Sequence, residues 1–161
     1  MVRARNELIL ADLIAARAET QPELDVLTFE HLSLDRGATP DEVRTFADLH
    51  QNANRIAAAL VARGVKPGDR FALMMRNHPE FVEAMIAASI TGAVFVPIDP
   101  RTRGEKLRFM LVDSGCVGIV CAEYCLPEVE PVRARLPDLR WTLVRETTLR
   151  DVLARDVATM D

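Results

Sequence analysis

Cysteine is scarce in this 161-residue sequence, and the three that occur, Cys116, Cys121 and Cys125, make neither a CxxC pair nor the even-numbered framework of a small secreted domain. A disulfide scaffold is excluded, and a reducing, cytoplasmic setting is expected. Cys116 and Cys121 lie five apart in one apolar run, so on a strand they point to opposite faces and serve as buried hydrophobes rather than a pair. Long apolar runs are also missing. The first twenty residues carry Arg3, Arg5, Glu7, Asp12, Arg17 and Glu19, which leaves no signal-peptide core. The longest uncharged stretch, Ala84 to Ile98, is broken by Gly92 and Pro97 and falls short of the roughly 20 residues that a membrane-spanning helix needs. Nor is there an excess of positive charge. A net charge of -4 gives no footprint for nucleic acid or an anionic membrane.

Glycine is spread thinly, its 7 residues expected singly at turns and helix ends. No GxGxxG, Walker loop or GxSxG elbow occurs, so neither a phosphate-cradling loop nor a serine hydrolase can be read here. His31, His50 and His78 show no HxxxH or HExxH spacing, and no metal site is expected from them. Low-complexity segments and internal repeats are absent as well.

What is present is a globular balance, 49% hydrophobic and 27% charged, in a length suited to a single domain over residues 1–161. Glu7 to Thr20 has helical spacing of Leu10, Leu13, Ile14 and Ala18. Asp25 to His31 reads as a strand, and Asp35 to Glu42, with Gly37 and Pro40, as an exposed loop. Thr45 to Arg63 is the clearest helix: Phe46, Leu49, Ala53, Ile56, Leu60 and Val61 share a face, Thr45 and Asp48 suit a capping box, and Gly64 suits a left-handed stop. Strands are then expected near Arg70, Ala93, Val117 and Arg140, about 23 residues apart with a helix in each gap, which is the spacing of βα units in a parallel sheet. Asn77 and Thr102 are the expected caps of two of these helices, and Gly92 and Gly115 their ends. Val94 to Val96 and Val117 to Cys121 are wholly apolar, as in strands covered on both faces. The fold class is α/β, a doubly wound parallel layer. Thr148 to Asp161 is compatible with a short helix.

Ligands of open parallel sheets sit beyond the carboxyl ends of the strands. Asp99, between Pro97 and Pro100, lies at such an end and suits a turn, a ligand hydroxyl or a cation. Arg101, Arg103, Lys106 and Arg108 surround a helix start and make the best anion-site candidate, with a solvated helix face as the competing reading. His78, in the first turn of a helix, is expected to favour its neutral form.

Three ordered stretches resemble the adenylate-forming enzymes. Phe46-Ala47-Asp48-Leu49 with Asn52 to Leu60 and Gly64-Val65-Lys66-Pro67-Gly68-Asp69 is similar to the family's first core motif. Asn77 to Phe81 followed by Thr91-Gly92-Ala93-Val94-Phe95-Val96-Pro97-Ile98-Asp99-Pro100 is similar to the second, and Leu107 to Gly115 resembles the next helix. The resemblance implies the amino-terminal part of an ATP-dependent acyl-CoA ligase of fatty-acyl or carnitine type, which forms an acyl-adenylate and then a thioester. It implies Mg-ATP, coenzyme A and a small carboxylic acid for a longer parent. The family's phosphate loop, nucleotide contacts and mobile lysine all follow the matched region, so no catalytic, cofactor-binding or metal residue is carried over to this chain. Asp99, where many acyl-CoA ligases have Asn, leans toward peptide-synthetase adenylation domains, and a fragment of an aryl-acid adenylation domain is the other alternative within the family. Two readings follow: an incomplete fragment that associates through an unfinished core, or a free-standing binding module.

Overall fold

A computed structural model describes residues 6, 8–30 and 41–145. The expectations for His31, for most of the Asp35 to Glu42 loop and for Thr148 to Asp161 lie outside them.

Helix α1 (Leu10–Thr20) leads to β1 (Asp25–Phe29), which pairs antiparallel with β2 (Glu42–Thr45). The sequence reading did not contain β2, because four residues with one apolar side chain carry no periodic signal. Helix α2 (Phe46–Ala62) begins on the expected capping box, with Asp48 N donating to Thr45 Oγ1 at 3.1 Å and Thr45 N to Asp48 Oδ2 at 3.0 Å. Then β3 (Arg70–Met74), α3 (Pro79–Thr91), β4 (Val94–Pro97), α4 (Gly104–Asp113), β5 (Cys116–Ala122), α5 (Leu126–Arg133) and β6 (Trp141–Arg145) alternate as the 23-residue rhythm requires.

The four later strands form a parallel sheet ordered β4-β3-β5-β6. Alternation along each strand divides the core into two layers. Phe71, Leu73, Val120, Trp141 and Leu143 face Ile56, Leu60, Ala84 and Ala87 of α2 and α3. Ala72, Met74, Ile119, Cys121 and Val144 face Leu107, Leu111, Val129 and Val132 of α4 and α5. Helices on both faces make the sheet doubly wound. A third cluster, Ile14, Leu49, Ala53 and Ile86, fixes α1 on α2 and α3.

Five expectations need correction. Cys116 and Cys121 do not face opposite sides: a register shift at the start of β5 puts both in the layer against α4 and α5. The residue before α3 is His78 rather than Asn77, and Arg103 rather than Thr102 precedes α4; neither His78 nor Arg103 supplies a side-chain cap, and Thr102 is buried. β4 is an outer strand, so its Val94 is 48% exposed instead of covered on both faces. Gly118 stands inside β5, not at a turn, opposite Trp141. The helix ends at Gly92 and Gly115 do take left-handed conformations, φ 70° and 63°.

Candidate functional site

β3 is followed by α3 toward β4 on one side, while β5 lies on its other side, so the crevice beyond the carboxyl ends of β3 and β5 is the topological switch point of the sheet. The loop leaving β3 places Arg76 and His78 there, and a short 3-10 turn after β5 places Tyr124 opposite them. The Arg76 backbone N–H donates to Tyr124 Oη at 2.6 Å, and Tyr124 Oη lies 3.2 Å from His78 Nε2. With an Oη lone pair occupied by the amide, the phenol hydrogen is free to donate to Nε2, which suits a neutral imidazole. Burial, followed by the charge of Arg145, lowers the His78 pKa in the same direction. The Arg76 guanidinium sits 5.2 Å from the Tyr124 ring centroid, a cation–π arrangement. Beside them Glu80, almost fully buried in the first turn of α3, is paired with Arg145 Nε of β6 at 2.9 Å. This cluster can orient a hydrogen-bonding group. Its one hydroxyl–imidazole contact is Tyr124–His78, and no group of His, Cys, Asp and Glu among the described residues is arranged for a metal.

Tyr124 and Arg145 escaped the sequence reading. The available signal was a single tyrosine just past an apolar strand whose carboxyl end faces the crevice.

The residues singled out at the end of β4 form a separate shallow cleft of about 270 Å³ lined by Asp99, Arg101, Thr102, Arg103 and Lys106. Asp99 closes the turn: Oδ1 accepts from the Arg101 amide at 2.8 Å, and Oδ2 from Arg101 Nη2 at 2.7 Å. These hydrogen bonds hold its carboxyl well below the usual carboxylate range. Arg103 is paired with Glu128 at 2.9 Å and Arg108 with Glu105 at 2.7 Å, and Glu105 also meets Arg135 at 2.5 Å. The basic patch is thus a solvated ion-pair network in which three of the four cations have carboxylate partners, which weakens it as an anion site. His50 lies on α2 in a small surface recess beside Asn54 and Ser89, remote from His78. The three cysteines are buried and unpaired, and burial pushes their thiols up, which makes them inert. A cavity of about 530 Å³ lined by Leu111, Cys116, Leu136 and Arg140 opens at the other, amino-terminal end of β5 and β6. No helix among the described residues is long and apolar enough to cross a membrane.

Comparison with known proteins places this geometry in context. The model of the AMP-binding enzyme family matches residues 14–157. Tyrocidine synthase 3 of Brevibacillus parabrevis is 29% identical over 129 residues, 80% of this chain and 2% of that protein. A long-chain-fatty-acid–CoA ligase of Mycobacterium tuberculosis is 37% identical over 91 residues, 56% of this chain and 18% of the ligase. The solved Mycobacterium tuberculosis fatty acyl CoA synthetase superposes with a TM-score of 0.75 at 26% identity, over 98% of this chain and 30% of that structure. The chain therefore spans less than a third of the length of each of these three relatives.

Proposed function

This chain belongs to the AMP-binding enzyme family, and from that membership we propose that it is the amino-terminal portion, one domain, of an ATP-dependent acid–thiol ligase that makes acyl-CoA through an acyl-adenylate. The carrying observation is coverage: the family match takes in nearly the whole chain, while the chain takes in only 30% of a solved acyl-CoA synthetase with the same fold. The surface agrees with an unfinished body. The outer edge of β4 is unpaired among the described residues, and Val61, Val94, Phe109 and Val112 are 59%, 48%, 61% and 53% exposed. The rest of such a ligase supplies the residues that hold Mg-ATP, coenzyme A and a small carboxylic acid. This chain supplies scaffold, in a cytoplasmic setting that suits its three free thiols.

Relatives of both kinds, a peptide synthetase and fatty-acyl-CoA ligases, share this region, so amino-acid adenylation is the second reading and Asp99 is the residue that favours it. A chimera tests the scaffold reading: residues 8–145 replace the matching segment of the mycobacterial long-chain ligase, and pyrophosphate exchange is measured with fatty acids and with amino acids. We expect exchange with fatty acids, and no change in the melting of the isolated chain on adding Mg-ATP. A folded chimera without exchange, or saturable stabilisation of the isolated chain by Mg-ATP, would refute the scaffold reading.

A further inference from the structure

Helix α4 has apolar residues on two opposite faces. Leu107 and Leu111 are buried in the core, with Met110 packed beside them. On the other side Phe109 and Val112, three positions apart and so neighbours on the helix surface, are 61% and 53% exposed. A single exposed apolar residue needs no explanation, but these two stand together beside the cavity at the amino-terminal end of β5 and β6. Val112 forms part of its wall. The cavity holds about 530 Å³ between the end of α4, the first residues of β5 and the connection over residues 136–140. That lies within the roughly 300–1,000 Å³ of pockets that take an organic group.

The cavity's polar groups are divided. Ser114 Oγ donates to Met110 O at 2.6 Å, which leaves the Cys116 thiol to donate to Ser114 Oγ at 3.1 Å, so the thiol in the wall is already satisfied. Asp138 and Arg140, both exposed, add one charge of each sign. A ligand of one sign meets one of them unfavourably, whereas a rim that carries both signs can pair with its own copy turned by 180°. The register follows from α4. When two copies lay α4 antiparallel across a two-fold axis at Val112, positions equidistant from 112 come level, and Phe109 of one copy comes level with Gly115 of the other. Gly115 lines the cavity and has no side chain to close it; Arg70 Nη1, at 3.6 Å, is the nearest group to the place a Cβ would take.

We propose that this face is a self-association surface: two copies of the chain pair through α4, each placing its Phe109 ring at the mouth of the other's cavity. The contact is isologous, so it closes at two copies and leaves no end for a filament. It is also small. One face of a ten-residue helix and one cavity mouth fall below the roughly 1,200 Å² of standard interfaces, so the dimer is weak and forms at high protein concentration. The inference stands apart from the ligase reading, because it concerns the end of the sheet away from the switch point and pyrophosphate exchange by the chimera does not depend on it.

Sedimentation velocity from about 10 µM to about 1 mM chain tests it, the range in which so small a contact becomes populated. The unaltered chain should pass from the mass of one copy toward that of two, and no further. Phe109→Lys and Val112→Lys change exposed positions and spare the core, so each should raise the dissociation constant at least about tenfold while moving Tm by no more than about 2 °C. Val61→Lys alters a similarly exposed apolar residue, 59%, on α2 and should leave association unchanged. Val112→Cys should be trapped as a covalent dimer by mild oxidation at high concentration, since the two-fold axis brings position 112 against its own copy, and Val61→Cys should not. A monomer across the whole range, growth beyond two copies, association that survives the two α4 substitutions or is lost with Val61→Lys, or no preference for trapping at 112 over 61 overturns the proposal.

Discussion

Replacing Gly118 by alanine should be the most damaging single-methyl change in this sheet. Gly118 of β5 pairs directly with Trp141 of β6, and a Cβ added to it would lie 2.0 Å from Trp141 Cε2 and 2.2 Å from Cδ2. The indole is locked into the buried core and cannot yield by a simple rotation: Trp141 is 2% exposed, Phe71 packs at 6.2 Å between centroids, and Leu143 fills the same layer. Either β6 separates from β5 or the indole leaves. Overpacking by one methyl costs about 1–3 kcal/mol, and losing the packing of a buried tryptophan about 3–5 kcal/mol. Release of the indole also frees Nε1, which has no hydrogen-bond partner in the core, to bond water, and this offsets part of the loss. We therefore expect about 3 kcal/mol of destabilisation, which for a domain of this length is a fall in Tm of about 6–12 °C. Trp141 is the only tryptophan, so its emission reports its own environment and should shift to the red in the folded variant. Trp141→Leu removes the obstacle, and the double variant should be more stable than the sum of the two singles by at least about 1 kcal/mol. A Gly118→Ala protein melting within about 1 °C of the parent, with unshifted emission, refutes the close-approach argument.

Two helix-ending glycines separate conformational strain from crowding. Around Gly64, at φ 77°, no atom lies within 4 Å of the place a Cβ would take, whereas at Gly92, φ 70°, that atom would meet Pro67 Cβ at 3.2 Å. Gly64→Ala should cost about 1 kcal/mol and Gly92→Ala about 2 kcal/mol in urea denaturation, and the reverse order would show that Pro67 yields freely. For His78, burial and then Arg145 lower the folded pKa below the ordinary 6.5, so the unfolded chain takes up the proton first and stability falls as pH drops through that value. His78→Gln should flatten this part of the Tm–pH curve; superimposable calorimetric curves for parent and variant would show that the imidazole is not shielded.

The parallel layer was legible because its signals are local and repeated. Apolar runs at β3 and β5, glycine stops at Gly64, Gly92 and Gly115, and the Thr45–Asp48 box each specify an element within a few residues. What was not legible depends on contacts between distant segments. β2 exists because it pairs with β1 and sends Arg44 to Glu83, 39 positions away. No pattern within α3 announces that Asn52 and Arg44 will surround Glu83. The exposure of Val94 likewise follows from strand order, which an apolar run of four residues does not encode.

The motifs that identify the family meet at the end of the sheet opposite the switch point. Gly68 N donates to Gly92 O at 2.8 Å and Val94 N to Asp69 O at 2.8 Å, so the Lys66-Pro67-Gly68-Asp69 turn and the Thr91-Gly92-Ala93-Val94 segment close on each other where β3 and β4 begin. Asp69 Oδ2 takes the Lys66 amide at 2.9 Å, and Gly92 packs on Pro67 too tightly to admit a side chain without displacement. These residues are therefore selected by the joint between two strands. The strand-end groups that could touch a ligand, Arg76, His78 and Tyr124, form a different set held by side-chain contacts across the crevice. A likeness carried by a joint assigns the scaffold and is silent on the substrate. Substrate choice in this family must then be read from residues that face the crevice, and from the more than two-thirds of the relatives' length that this chain does not span.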